Sequence, residues 1–89
     1  MTAREVRIRN ALGLHARAAA RFVHTASRFR SRVTVSRSGT TMDGKSILGI
    51  LLLAASQGTV LRLVAEGEDE AAAVEALSSL VEGGFGEDA

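Results

Sequence analysis

Two hydrophobic periodicities take turns along this chain, and their order restricts its fold more than any other feature. EVRIR, residues 5–9, alternates polar and apolar with Val6 and Ile8 on one face, as a half-buried strand does. NALGLH follows as a loop. ARAAARFVHTASRF then places Ala19, Phe22, Val23, Ala26 and Phe29 at helical spacing. RVTVS alternates again, with Val33 and Val35 inward. Ser38-Gly39 is a two-residue turn that returns TTMD as an antiparallel strand ended by Gly44. SILGILLLAA reads as a short helix, with Ser46 as its N-cap and Gly49 weakening it. Beyond SQG, VLRLVAEG is a strand with Leu61, Leu63 and Ala65 on one face and Val60, Arg62 and Val64 on the other. EDEAAAVEALSSLVEGG is the last helix. Acids in its first turn suit the positive dipole end, Val74, Leu77 and Val81 form its buried stripe, and Gly83-Gly84 ends it. The order is β-α-β-β-α-β-α. Four strands and three helices predict one α+β domain over residues 1–89, an open-faced β-sandwich with a four-stranded antiparallel sheet and three helices on one face.

The residue balance narrows the class of protein. With 46% hydrophobic and 24% charged residues, the chain reads as globular rather than disordered. It has no cysteine, so disulfides and thiolate metal sites are excluded. The N-terminus lacks a signal-peptide core, and the longest apolar run, Ile50 to Ala55, is too short for a bilayer. A cytoplasmic protein without membrane insertion is expected. Charge is lopsided: residues 1–45 hold ten bases and two acids, a net of +8, whereas residues 46–89 hold one base and eight acids, a net of −7. One side of the molecule is expected to be basic and to attract acidic partners.

GTTMDGKS, residues 39–46, fits the phosphate-cradling P-loop pattern at every position. That loop needs a buried strand running straight into its first glycine, and here Ser36, Arg37 and Ser38 intervene. The hairpin accounts for Gly39 and Gly44 without a ligand. A nucleotide-binding α/β domain also needs several βα units and roughly 150 residues. No nucleotide site is expected.

NALGLHARAAARF carries more chemistry. His15 stands immediately before the first helical turn, where backbone N–H groups lack internal partners and carry partial positive charge. A phosphoryl group on His15 would meet those donors. Arg17 could add a charged donor, and Gly13 permits the tight backbone that presents the ring. From these residues alone two readings stand side by side: His15 as a helix cap, and His15 as a nucleophile.

NALGLHARAA resembles the active-site signature of the HPr family, the histidine-containing phosphocarriers of the bacterial phosphotransferase system. The resemblance runs over residues 4–85 and includes the element order, GKSILGILLLAA, the SQGTV turn and AEGEDEAAAVEAL. The ending EGGFGEDA is similar to members of the nitrogen-related branch. The resemblance implies that His15 accepts a phosphoryl group on its δ nitrogen from enzyme I, charged by phosphoenolpyruvate, and donates it to a histidine of an enzyme IIA protein. It makes Arg17 the assisting residue and Asn10 and Gly13 the loop shapers. Such a protein is a covalent carrier rather than a free-standing enzyme, and no cofactor is implied. The family usually has proline after that arginine; this chain has Ala18, a good helix former at a position where proline is not required.

A reactive phosphohistidine must stay exposed, so docking has to supply orientation and exclude water. The helical stripe Arg17, Arg21, His24 and Arg28 is expected to steer acidic partners, with Ala16 and Ala20 on the same docking helix. Leu48, Leu51 and Leu52 exceed what one buried face of a short helix needs, which predicts an exposed docking patch with Leu48 foremost and Leu51 next. His24 is expected to be solvated. No metal site is expected, since His15 and His24 are nine apart with no third ligand nearby. Lys45-Ser46-Ile47 is similar to the context in which some relatives are phosphorylated by an ATP-dependent HPr kinase/phosphorylase. A phosphate on Ser46 would suit the helix start and weaken the docking of acidic partners. The chain is expected to act as a monomer. The competing function is a non-catalytic regulatory module whose phosphorylation state controls a partner. Nucleic acid is not an expected partner, because at least two of Phe22, Phe29 and Phe85 are core-facing.

Overall fold

In the computed structural model, residues 1–87 are described; Asp88 and Ala89 lie outside the described residues. Strand β1 (Thr2–Arg7) leads through a loop to helix α1 (Ala16–Ser27), then the hairpin β2 (Arg32–Arg37) and β3 (Thr40–Asp43), helix α2 (Ile47–Leu52), strand β4 (Val60–Glu66) and helix α3 (Glu70–Glu82). The sheet order is β1-β4-β2-β3, and every neighbouring pair is antiparallel. Val6 lies opposite Leu61, Val35 opposite Leu63 and Val33 opposite Ala65, so the alternation in three separate segments lands on one face. All six side chains are buried. The other face shows Glu5, Arg7, Arg32 and Arg62 to solvent. Helices α1, α2 and α3 pack on the apolar face, α3 against β1 and β4, and α1 against both other helices. The expected architecture and element order are therefore observed.

The β2–β3 turn has Ser38 at φ 48° and Gly39 at φ 84°, the double left-handed geometry that matches the twist of antiparallel strands. Gly44 serves packing. A Cβ there would lie 2.5 Å from Val33 Cγ1, and the Gly44 amide donates to the Val33 carbonyl at 2.8 Å. Both glycines of the P-loop pattern are thus used by the hairpin and its exit.

Boundaries differ from expectation where local hydrogen bonds decide them. The first strand ends at Arg7 instead of Arg9, yet Ile8 continues the pairing: its amide donates to Thr59 and its carbonyl accepts from Gly58. Helix α2 stops at Leu52, short of Ala55. Leu53 and Ala54 bond three residues back, and Ala54 turns left-handed at φ 50°. Helix α3 begins at Glu70, not Glu68, and the Asp69 side chain does not cap it. Asp69 instead accepts from the backbone amides of Arg30 at 2.8 Å and Ser31 at 2.9 Å, and from the Ser31 hydroxyl. The chain does not end its structure at Gly83-Gly84. Gly84–Gly86 forms a 3₁₀ turn in which Phe85 is buried at φ 58°.

Candidate functional site

The loop between β1 and α1 is held from beneath by its own backbone. Gly13 donates to the Asn10 carbonyl at 3.2 Å, Leu14 to the Ala55 carbonyl at 2.9 Å, and His15 to the Gly13 carbonyl at 3.0 Å. Gly13 has φ 66°, and a Cβ there would lie 2.5 Å from the Ala55 oxygen, so left-handed backbone and close approach both demand glycine. Asn10 is buried, and its Nδ2 donates to the Gly13 carbonyl at 2.8 Å. Leu14 is buried behind the loop, and the imidazole of His15 turns outward with 26% of its side chain exposed.

His15 is the N-cap of α1, with extended backbone (φ −76°, ψ 176°), and its Nδ1 accepts from the Arg17 amide at 3.3 Å. The helix-cap reading of His15 is therefore observed, and the capping atom is Nδ1. A nitrogen that accepts an N–H is unprotonated, and its lone pair is directed at that donor, here the amide end of the first turn of α1. The other ring nitrogen, Nε2, pairs with the carboxylate of Glu87. The second oxygen of Glu87 accepts from Asn10 Nδ2 at 2.9 Å. These donors hold the Glu87 carboxyl below its usual range, Asn10 being the largest cause.

An open depression of about 610 Å³ surrounds the ring, lined by Leu12, Ala16, Arg17, Arg21 and Gly86 as well as His15 and Glu87. Arg21 also ties the wall together, its Nη1 donating to the Phe85 carbonyl. Among the described residues, no group of three or more histidines and carboxylates is arranged to hold a metal. No helix of the described residues is long and apolar enough to cross a membrane.

Of the residues singled out by sequence, Asn10, Gly13, His15, Ala16, Arg17 and Arg21 converge here. Ala20, His24 and Arg28 are exposed further along α1. Ser46 begins α2, its Oγ accepting from the Gly49 amide at 3.1 Å, which is the expected cap. Leu48 is 67% exposed as expected. Leu51 is corrected: it is half-buried against the core beside the fully buried Ile50 and Leu53, and the exposed apolar side chains of α2 are Ile47, Leu48 and Leu52. Two site residues escaped the sequence reading. Leu12, 73% exposed, sits in the loop with no periodicity to mark it. Glu87 is 72 residues from His15, and no local pattern joins them.

The structure thus defines an open-faced sandwich whose helix α1 is capped by an outward-turned histidine in an open depression. Comparison with known proteins places it in a family. The family model for the PTS HPr component phosphorylation site matches residues 2–83. The phosphocarrier protein HPr of Xylella fastidiosa is 52% identical over 88 residues, 99% of each chain, and that of Neisseria meningitidis is 48% identical over 87 residues, 98% of each. Among solved structures, HPr-C-His from Thermoanaerobacter tengcongensis superimposes with a TM-score of 0.96 at 47% identity over all of both chains. An HPr dimer from the same organism gives 0.78 at 48% identity, over 98% of this chain and all of that one. The chain belongs to the HPr family of phosphocarriers of the phosphotransferase system.

Proposed function

We propose that this protein accepts a phosphoryl group on Nδ1 of His15 from phosphoenolpyruvate-charged enzyme I and passes it to a histidine of an enzyme IIA protein. The observation that carries the reading is the direction of Nδ1: it faces the free amides of the first turn of α1 within an open depression. The Nδ1 lone pair forms the N–P bond while the donor's P–N bond breaks, and the donor ring keeps that electron pair. The phosphoryl oxygens then receive the Arg17 amide and the positive end of the helix, with the Arg17 guanidinium free to approach. Asn10 and Gly13 shape the loop. Ala16, Ala20, Arg21, His24 and Arg28 on α1, with Leu48 on α2, form the docking face, and the carrier works as a monomer.

Incubation with phosphoenolpyruvate and enzyme I should give one acid-labile phosphate per chain, absent from His15→Ala. Equal labelling of the two proteins would reject the reading. Ser46 is a regulatory site for an ATP-dependent kinase: its hydroxyl sits at the start of α2, beside exposed Ile47 and Leu48. Acid-stable phosphate introduced by such a kinase should disappear in Ser46→Ala.

A further inference from the structure

The contact between His15 and Glu87 has a direction. Nδ1 accepts the Arg17 amide, so Nδ1 is the unprotonated nitrogen of the ring. The proton of the neutral imidazole is then on Nε2, where it meets the Glu87 carboxylate. Glu87 is itself held. Asn10 Nδ2 donates to its other oxygen, and the same Nδ2 bonds the Gly13 carbonyl, so the carboxylate and the loop that presents His15 share one buried amide. The segment carrying Glu87 is fastened on both sides: Phe85 is buried in the core, and Arg21 grips its carbonyl. A buried aromatic held at positive φ is costly, and the cost is met here by an anchor that brings the following residues onto the active loop.

We propose that Glu87 is a positioning residue for phosphoryl transfer, fixing His15 in the tautomer whose lone pair is on Nδ1 and stabilising the ring while it carries charge. This rests on the carrier reading given above. When Nδ1 attacks, no proton leaves His15; the N–P bond forms, the donor's P–N bond breaks, and the ring becomes a phosphorylated imidazolium with its proton still on Nε2. The carboxylate is then opposite a positive ring. In the return step Nδ1 recovers its electron pair from a ring kept protonated, which makes it a better leaving group. The arrangement is the orienting carboxylate of a catalytic triad applied to a phosphoryl carrier.

The test uses the full chain with Glu87→Gln and Glu87→Ala. A glutamine that keeps its carbonyl on Asn10 Nδ2 presents its NH₂ to the Nε2 proton, a donor against a donor, unless the ring carries that proton on Nδ1 instead. Nitrogen-15 NMR of the unphosphorylated protein should therefore show His15 as the Nε2–H tautomer in wild type. A mixture or the Nδ1–H tautomer is expected in Glu87→Gln. Transfer from enzyme I should slow roughly 10- to 100-fold, the scale seen when the partner behind a functional imidazole is removed. Glu87→Ala supplies the same two readouts if the glutamine variant fails to fold. An unchanged tautomer overturns the proposal, even with slowed transfer, since the carboxylate would then act on docking alone. Unchanged transfer also overturns it. If wild type takes no phosphoryl group at all, the carrier reading fails, and the tautomer measurement still decides what Glu87 does to the ring.

Discussion

An alanine at position 13 has nowhere to put its methyl group, and the consequence can be worked through. Gly13 sits at φ 66°, where a residue with a Cβ loses roughly 1–2 kcal/mol. The added carbon would also stand 2.5 Å from the Ala55 oxygen and 2.9 Å from Ser56 Cα, both backbone atoms that no rotamer change can move. To make room, the loop must lift from Ala55, and it then stretches the 2.9 Å bond from Leu14 to that same oxygen. Weakening one hydrogen bond and straining the packing adds about 1–3 kcal/mol. The sum, about 2–5 kcal/mol, is a large share of the 5–15 kcal/mol expected of such a domain. In a chain of this size each kcal/mol moves Tm by roughly 4–8 °C, so a drop of at least about 8 °C is expected. Gly39→Ala is the matched control. It has φ 84° but no atom within 4 Å of its would-be Cβ, so it carries the backbone penalty without the clash. Urea unfolding followed by far-UV circular dichroism compares the two directly. If Gly13→Ala proves no less stable than Gly39→Ala, the close approach to Ala55 is not what dictates glycine at position 13.

The same logic gives smaller effects elsewhere. Ser46→Ala removes the hydroxyl that accepts the Gly49 amide and should lower unfolding free energy by about 1 kcal/mol, whereas Ser46→Asp should keep the cap and yet slow transfer from enzyme I. Asp69 and Glu70 titrate at about 2 in the folded chain, Asp69 chiefly through the Ser31 hydroxyl and Glu70 chiefly through the N-terminal ammonium. Because both folded values lie below the usual carboxylate range near 4, the unfolded chain binds more protons in acid; the stability they contribute is complete above about pH 4 and disappears as pH falls through about 2. Unfolding midpoints measured across that window should fall less steeply in Asp69→Asn. Leu48→Ala should leave Tm close to wild type, since that side chain is 67% exposed, while raising KM for the carrier in transfer from enzyme I.

How far the sequence could be read depended on whether the deciding interaction was local. The β2–β3 hairpin was legible because Ser38-Gly39 and the flanking alternation sit within a dozen residues. Val74, Leu77 and Val81 were legible because helical spacing alone puts them on one side, and all three are buried. The end of α2 was not, because three more apolar residues follow Leu52 and only the left-handed turn at Ala54 stops the helix. Leu51 was misplaced for the same reason: in a run apolar nearly all round, no polar residue marks which side faces out. Asp69 looked like a first-turn acid, but its carboxylate serves Arg30 and Ser31, 39 and 38 residues away. Glu87 is the extreme case. It reaches His15 only because Phe85 is buried and reverses the chain after α3, and a buried residue at positive φ leaves no trace in a hydrophobic pattern.

The charge asymmetry also changes meaning once the chain is folded. A +8 half and a −7 half suggest one basic side and one acidic side, but the fold lays much of one over the other. Glu75 and Glu82 on α3 pair with Arg4 and Arg9, Glu82 also accepts the Arg7 amide, and Glu70 takes the N-terminal ammonium. Other bases are used structurally: the Arg37 guanidinium covers the Leu53 and Ala54 carbonyls at the end of α2, and the Lys45 ammonium covers the Phe29 carbonyl beyond α1. Arg17 and Arg28 form no ion pair with the described residues, and both are exposed on the helix that His15 caps. The field felt by an approaching acidic partner near the site is therefore set less by the count of arginines than by which of them α3 leaves unneutralised. Near the site the exposed Arg17 and Arg28 lie along α1, so on the carrier reading the helix whose N-terminus would receive the phosphoryl oxygens also carries charges that would attract the donor.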